Sequence, residues 1–172
     1  MGSVRAFAPE KLVVAVLLSE PQLKESLLAE LERRFGDPDW VSSELPFDYT
    51  HYYDEEMGTP ISRFFVSFRR LVEPQRLAEI KTATNLLEDS FRREGRRPVN
   101  LDPGLLSLGR FVLASTKPCA HRIPLSGGIH AEITLLYEKG SFRAVEWTYP
   151  DYASGEYRAI LNRIRALYKE QL

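Results

Sequence analysis

Apolar residues along this chain follow strand-like and helix-like spacings in turn, and these spacings predict a mixed fold. Residues 12–18 contain no polar side chain, which is typical of a strand buried on both faces. Residues 63–69 alternate between apolar and polar positions, except at Phe65, and predict a half-buried strand. A second apolar run at residues 108–114 and an alternating stretch at residues 130–137 predict two further strands.

Three stretches with apolar residues three or four positions apart predict amphipathic helices. The first follows Ser19, which we expect to cap the helix in a capping box with Gln22. The second begins at Pro74, a favourable first helical residue, and ends before Gly95. The third is capped by Ser154. The predicted inward-facing residues are Leu23, Leu27, Leu31 and Phe35; Leu77, Ile80, Thr84, Leu87 and Phe91; and Tyr157, Ile160, Leu161, Ile164, Leu167 and Tyr168.

The order of these elements predicts one α+β domain over residues 1–172, with a mostly antiparallel sheet. A hairpin turn is expected at residues 138–140, with residues 142–148 as the partner strand. If residues 40–53 are extended, the order matches a split βαβ (ferredoxin-like) core followed by the C-terminal hairpin and helix. Residues 100–104, Asn-Leu-Asp-Pro-Gly, most simply form a turn, because proline fixes φ and glycine permits a bend.

Charge and composition argue against several classes of function. The net charge of the 172 residues is −1, so no overall field favours nucleic acid or an anionic membrane. The longest apolar run is too short to span a bilayer. Cys119 is the single cysteine, so no internal disulfide forms. We expect a cytoplasmic protein that binds neither membranes nor nucleic acid, and the sequence indicates no particular oligomeric state or cofactor.

Four motifs spread over most of the chain resemble a known family. They are residues 46–58 (Pro-Phe-Asp-Tyr-Thr-His-Tyr-Tyr-Asp-Glu-Glu-Met-Gly), residues 100–104, residues 117–123 (Lys-Pro-Cys-Ala-His-Arg-Ile) and residues 147–152 (Trp-Thr-Tyr-Pro-Asp-Tyr). On these motifs the chain resembles the bacterial domain of unknown function 4416 family, whose members are sometimes automatically named "GTP-binding protein". The family has no assigned reaction, so the resemblance implies no substrate.

The residues do not support GTP binding of the P-loop kind. A P-loop needs Gly-x-x-x-x-Gly-Lys-Ser/Thr between a strand and a helix, so that backbone amides and the lysine hold the phosphates. Residues 12–18 lead instead into Ser-Glu-Pro-Gln, and no Asn-Lys-x-Asp motif is present to read guanine. We therefore do not expect GTPase activity.

Polar residues beside the predicted strand ends supply the candidate site. Lys117, His121 and Arg122 place three donors within six residues, a set that can hold a phosphate or carboxylate. The alternative is a solvated connection whose basic residues pair with nearby acids. Asn100 and Asp102 would face the same site if the turn around them holds their side chains towards it.

A histidine and a carboxylate on one predicted strand extend this candidate. His130 and Glu132 lie two residues apart and so share a face, which we expect to be opposite Ile133 and Leu135. They could ligate a divalent metal with His121 and Asp102, or simply form a polar outer face. We assign acid–base roles to Asp102, His121 and Glu132 and assign no metal ligands. Cys119 is expected to be a packed thiol rather than a nucleophile.

Two aromatic and acidic segments, residues 47–57 and 147–152, could form the walls of the same cleft, or each could simply supply core aromatic rings with solvated acids. Tyr149 and Asp151 join Lys117, Arg122 and Asn100 as predicted ligand-binding residues.

Two functional hypotheses follow from this candidate site. In the first, the protein binds or acts on a phosphate- or carboxylate-bearing metabolite or nucleotide. In the second, it is a non-catalytic protein–protein interaction module that uses residues 47–58. The first hypothesis requires these distant segments to meet around one hollow with a positively charged floor.

Overall fold

The computed structural model describes residues 2–172 of the chain. These residues contain four α-helices and nine β-strands. The helices are α1 (Lys24–Phe35), α2 (Asp54–Met57), α3 (Leu77–Ser90) and α4 (Gly155–Glu170). The strands are β1 (Glu10–Leu18), β2 (Pro38–Val41), β3 (Leu45–Pro46), β4 (Ser62–Val72), β5 (Val99–Leu106), β6 (Arg110–Ser115), β7 (Ile123–Pro124), β8 (His130–Glu138) and β9 (Ser141–Ala144). Among these residues, no helix has both the length and the apolar character needed to cross a membrane.

All nine strands belong to one antiparallel sheet. Its order is β2-β4-β1-β5-β6-β8-β7, with β3 paired to β4 and β9 paired to β8. The predicted α+β class with a mostly antiparallel sheet is therefore confirmed. Residues 40–53, predicted as one extended segment, contribute only the short strands β2 and β3 before the chain turns into α2.

The central strand β1 is buried along its whole length. Its side chains alternate between two apolar clusters, because successive residues of a strand point to opposite faces. Leu12, Val14 and Val16 pack with α1 and α3 on one face, whereas Val13 and Ala15 pack with α4 on the other. The inward stripes predicted for the helices are confirmed at their central positions, listed here: Leu27, Leu31, Ile80, Leu87, Tyr157, Leu161 and Ile164.

The neighbouring strand β4 is also buried on both faces, which corrects the prediction of a half-buried strand. Phe64 packs under α1 and α3, and Phe65 packs under α4. Ser67 and Arg63, predicted to face solvent, are 0% and 2% exposed. Phe65 interrupts the alternation of apolar and polar residues because α4 covers the face of β4 on which it lies.

The helix starts differ from one another in their caps. Ser154 accepts a hydrogen bond from the backbone N–H of Tyr157 at 3.2 Å and caps α4 as predicted. The capping box at Ser19 was wrong, because a 3₁₀ turn at Pro21–Leu23 precedes α1 and the Ser19 hydroxyl donates to the carbonyl oxygen of Met57 at 2.7 Å. That hydroxyl fastens α2 to the end of β1 instead.

The motif at residues 100–104 lies inside β5, so the predicted turn was wrong. Asp102, Pro103 and Gly104 pair with β1. On the other side of β5, pairing with β6 covers only residues 104–106. Beyond that point the two strands separate, and the backbone groups of Leu101 form hydrogen bonds with side chains of α3 instead of with β6. Glu88 accepts from the Leu101 N–H at 2.8 Å, and Lys81 donates to the Leu101 carbonyl at 2.8 Å.

Proline and glycine in this motif explain where the strands separate. Alternate residues of a strand direct their backbone groups to the same side, so the Pro103 nitrogen points into the same gap as the Leu101 N–H. No partner strand there requires an N–H from residue 103. A Cβ on Gly104 would lie 2.6 Å from the Phe111 ring and 2.8 Å from the Val112 carbonyl oxygen. The absence of a side chain at Gly104 therefore permits β6 to approach β5 closely at the first residue pair that joins the two strands.

The C-terminal hairpin is confirmed. Lys139 and Gly140 have φ values of 49° and 84°, and they form a two-residue turn between β8 and β9. Strand β9 ends at Ala144, not at residue 148 as predicted, because the N–H of Val145 bonds to the Thr148 hydroxyl at 2.8 Å and closes a turn.

Candidate functional site

A cleft with a volume of about 690 Å³ lies where β5 and β6 separate. Its lining comes from the loop before α2, from β4, β5 and α3, from the end of β6 and the residues after it, and from residues 149–152. Seven of the eight residues predicted for the site line it: Asn100, Asp102, Lys117, Arg122, Glu132, Tyr149 and Asp151. The eighth, His121, is not part of the lining and contacts Glu132 from beside the cleft.

Arg63 of β4 lies at the bottom of the cleft and was not among the predicted site residues. Its guanidinium donates to Asp102 at 3.4 Å and to Asp151 at 3.5 Å, and its Nε has no partner. The ring of Phe47 lies 5.2 Å from the guanidinium carbon. The signal available in the sequence was Phe65, which shares a strand face with Arg63 and indicated that this face is covered.

The two carboxyl groups around Arg63 have pKa values that are shifted in opposite directions. Burial alone would raise the pKa of Asp102, but the ammonium of Lys81 and the guanidinium of Arg63 lower it below its ordinary value. Asn100 also donates to Asp102 at 3.0 Å. Burial raises the pKa of Asp151, and Arg63 offsets only part of that effect. Asp102 is therefore the more strongly ionised group, and its side chain is 25% exposed.

Helix α3 contributes a second set of charges that sequence reasoning missed. Lys81 lies 3.8 Å from Glu88 and 3.7 Å from Asp102. Arg97 forms an ion pair with Glu88 and donates twice to Glu56 at 2.9 Å. Lys81 and Glu88 directly follow Ile80 and Leu87 of the predicted apolar stripe, and this position beside the stripe was the available signal.

Arg122 holds three segments of the cleft wall together. Its Nε donates to Glu132 Oε2 at 2.6 Å, and its other nitrogens donate to the Ser115 hydroxyl at 3.1 Å, the Lys117 carbonyl at 2.8 Å and the Tyr149 hydroxyl at 2.8 Å. These bonds use most of the donors that the guanidinium has. Arg122 therefore shapes the wall more than it offers a free fork to a ligand.

Glu132 faces the cleft because of an irregularity in β8. Phe111 pairs with Leu135 and Val112 with Ile133, so β8 has one extra residue at this step, a β-bulge. The bulge places Glu132 opposite Leu113, on the α4 face with Leu135 rather than opposite to it. The expected polar outer face was therefore wrong, and Glu132 is 2% exposed with no partner for Oε1.

His121 lies outside the cleft with a defined arrangement of its own. Its Nε2 lies 3.0 Å from Glu132 Oε2, and its ring stacks on Trp147 with centroids 5.0 Å apart and planes 9° apart. His130 has a buried Nδ1 without a partner. Within residues 2–172, no three His, Cys, Asp or Glu side chains are arranged to hold a metal ion.

Lys117 is exposed and reaches across the mouth of the cleft. Its ammonium lies 4.2 Å from the centre of the Tyr52 ring, a cation–π contact between the two walls. Among the described residues 2–172, no carboxylate forms a salt bridge with it. Tyr52 is 65% exposed, while Phe47 and Met57 at the two ends of the same loop are buried.

The lining of the cleft as a whole is charge-balanced, so the predicted hollow with a positively charged floor was wrong. Five cationic and five anionic side chains line the cleft: Arg63, Lys81, Arg97, Lys117 and Arg122, and Glu88, Asp89, Asp102, Glu132 and Asp151.

Cys119 is exposed, which corrects the expectation of a packed thiol.

A model of the family described as domain of unknown function (DUF4416) matches residues 8–168. No curated protein and no solved structure matches the chain.

Proposed function

We propose that this chain, which belongs to the DUF4416 family of domains of unknown function, binds a small phosphate- or carboxylate-bearing metabolite in the cleft between β5 and β6. The observation that carries the proposal is a concentration of buried polar atoms without partners. Three of the six such atoms found in residues 2–172, Arg63 Nε, Glu132 Oε1 and Tyr152 Oη, belong to residues that line this cleft. Each costs about 1–3 kcal/mol when left unpaired.

The dimensions and walls of the cleft support the same proposal. Ligand sites commonly have volumes of about 300–1,000 Å³ and combine apolar walls with a few placed polar groups. Exposed rings of Tyr49, Tyr52 and Tyr149 line this one. Such rings offer faces on which a planar ligand group stacks.

The polar groups that remain accessible define the two ends of the proposed ligand. Lys117 is an exposed cation that attracts an anionic group. Asp102 is an ionised and partly exposed carboxylate that accepts hydrogen bonds from hydroxyl or amine donors. The Asn100 amide, which donates to Asp102, fixes the orientation of that carboxylate.

We further infer that β1, α1, β2, β4, α3 and β5 form a split βαβ (ferredoxin-like) core. The strand order β2-β4-β1-β5 and the antiparallel pairing of neighbours support it. Strands β6 to β9 and α4 then extend that core. The cleft lies at the junction of core and extension, where the β5–β6 pairing stops.

A thermal-denaturation screen tests the binding proposal. The panel contains nucleoside monophosphates, sugar phosphates and aromatic monocarboxylates, each measured on the native protein and on Asp102→Asn. A ligand present at 100 times its dissociation constant stabilises the folded state by about 2.7 kcal/mol. We expect at least one class to stabilise the native protein and to lose most of that effect in the variant.

A matched control replaces a carboxylate far from the cleft. Glu138→Gln changes an exposed acid at the end of β8, outside the cleft lining, and should leave the ligand effect unchanged. Stabilisation that survives in Asp102→Asn, or a panel without any effect, would contradict the proposal.

A further inference from the structure

We infer that the ligand of this cleft carries a single anionic group, bound at Lys117, rather than a diphosphate or triphosphate. This inference rests on the proposed function and narrows it to a class of ligand. It comes from the way in which the charges of the cleft are already paired with one another.

Four of the five lining cations have carboxylate partners. Arg63 pairs with Asp102 and Asp151, and Lys81 lies between Asp102 and Glu88. The other two pairs complete the set and are Arg97 with Glu88 and Glu56, and Arg122 with Glu132. A polyanionic ligand would have to compete with these carboxylates, most of which are buried, for the same cations.

Arg122 illustrates why the paired cations are poor anion contacts. Four of its N–H donors already bond to Glu132, Ser115, Lys117 and Tyr149. Binding a phosphate bidentately would need two free donors in one plane, and a guanidinium has five in all. Arg122 therefore lacks the two free donors that a bidentate phosphate contact needs, and Lys117 is the lining cation that remains available.

Lys117 differs from the other cations in position and in partner. Its ammonium is exposed and rests on the Tyr52 ring at 4.2 Å, without a salt-bridge partner among residues 2–172. A lysine ammonium is a compact point charge with three rotatable donors, so it can turn from the ring to one anionic group without breaking an ion pair. The same ring would then remain available to the planar part of the ligand.

Two series of probes count the anionic groups directly. The first is adenosine 5′-mono-, di- and triphosphate, titrated calorimetrically without divalent metal at matched ionic strength. The second is benzoate, phthalate and trimesate, which carry one, two and three carboxylates on one ring. In at least one series we expect the member with one anionic group to bind about tenfold or more tightly than the member with three.

Two lysine variants test whether Lys117 binds the anionic group of the probe. Lys117→Met keeps an apolar stem, and we expect it to weaken the single-anion probe about tenfold, equivalent to about 1.4 kcal/mol. Lys139→Met is the matched control. It removes an exposed lysine from the β8–β9 turn, outside the cleft lining, and should leave the affinity for the single-anion probe unchanged. Preference in the phosphate series alone identifies a phosphomonoester, and preference in the carboxylate series alone identifies a carboxylate.

The outcomes separate this inference from the binding proposal. If a probe with three anionic groups binds as tightly as its counterpart with one and competes with it for the cleft, the single-anion inference is wrong while the binding proposal stands. If affinity for the single-anion probe is unchanged in Lys117→Met, the inference is also overturned. If no probe in the two series binds and the wider panel also has no effect, both proposals fail.

Discussion

The two faces of the central sheet are closed in different ways. Under α1 and α3, sheet residues that include the fully buried Val14, Val16 and Phe64 form one apolar cluster with the two helices. On the opposite face, α4 covers an apolar half that includes Phe65, and the remainder carries buried charges around Arg63. Adjacent residues of one strand therefore belong to a packed core and to a polar cleft.

This difference indicates that the polar half is retained for something other than stability. Replacing a buried ion pair by apolar residues is often neutral or stabilising, so such pairs are weak evidence for a stabilising role. The chain nevertheless buries Arg63, Lys81, Glu88 and Asp151 beside one cleft. A ligand site gives a physical reason to keep them there.

The largest expected effect compares neighbouring residues of β4. Phe64→Ala should destabilise the protein by about 3–5 kcal/mol through lost burial and a cavity, equally at pH 4 and pH 7. Arg63→Met should cost about 3–5 kcal/mol at pH 7, because it leaves Asp102 and Asp151 without their shared cation. Denaturant unfolding at the two pH values measures both costs.

The cost of Arg63→Met should shrink at pH 4, and the sign follows from Asp151. Its pKa in the folded protein is raised above the ordinary value, so its contribution to stability is greatest at low pH and is lost as pH rises. Removing Arg63 raises that pKa further and enlarges the loss on the neutral side. Equal costs for Arg63→Met at both pH values would show that charge does not distinguish the two faces.

A smaller effect is expected where β5 and β6 are still paired. Gly104→Ala places a Cβ 2.6 Å from the Phe111 ring, and overpacking of this kind costs about 1–3 kcal/mol. The double variant with Phe111→Leu should show less than the sum of the two single costs, because the smaller side chain relieves the clash. Strictly additive costs in a double-mutant cycle would place the clash elsewhere.

The smallest effect is expected one residue earlier, where the strands have separated. Pro103→Ala restores an N–H that points into the gap and breaks no hydrogen bond, so only the greater freedom of the unfolded chain matters. We expect a loss of about 0.4–1 kcal/mol in denaturant unfolding. A gain in stability would indicate that residue 103 can pair with β6, contrary to the structure.

The sequence predicted elements with strong local signals and failed where long-range pairing decides. The turn at Gly140 and the cap at Ser154 depend on a few adjacent residues, and both were predicted correctly. Pro103 was assigned to a turn because proline fixes φ and the following glycine permits a bend. Its tolerance depends on the divergence of β6, which no local pattern reports.

The candidate site shows the same division. The motifs themselves indicated Lys117 and most other lining residues, because clustered polar side chains near strand ends stand out in a sequence. Arg63 and Lys81 were missed, since their burial depends on elements distant in the chain. The orientation of Glu132 depends on a β-bulge that single-sequence alternation cannot register.

The most direct test of a ligand site on the polar half of the sheet is an amide chemical-shift titration of the native protein with the single-anion probes. We predict that the largest shifts fall on Leu101, Asp102 and Lys117, around the gap between β5 and β6. Saturable shifts confined to other surfaces, such as the shallow depression around Leu108 and Tyr168, would contradict the account.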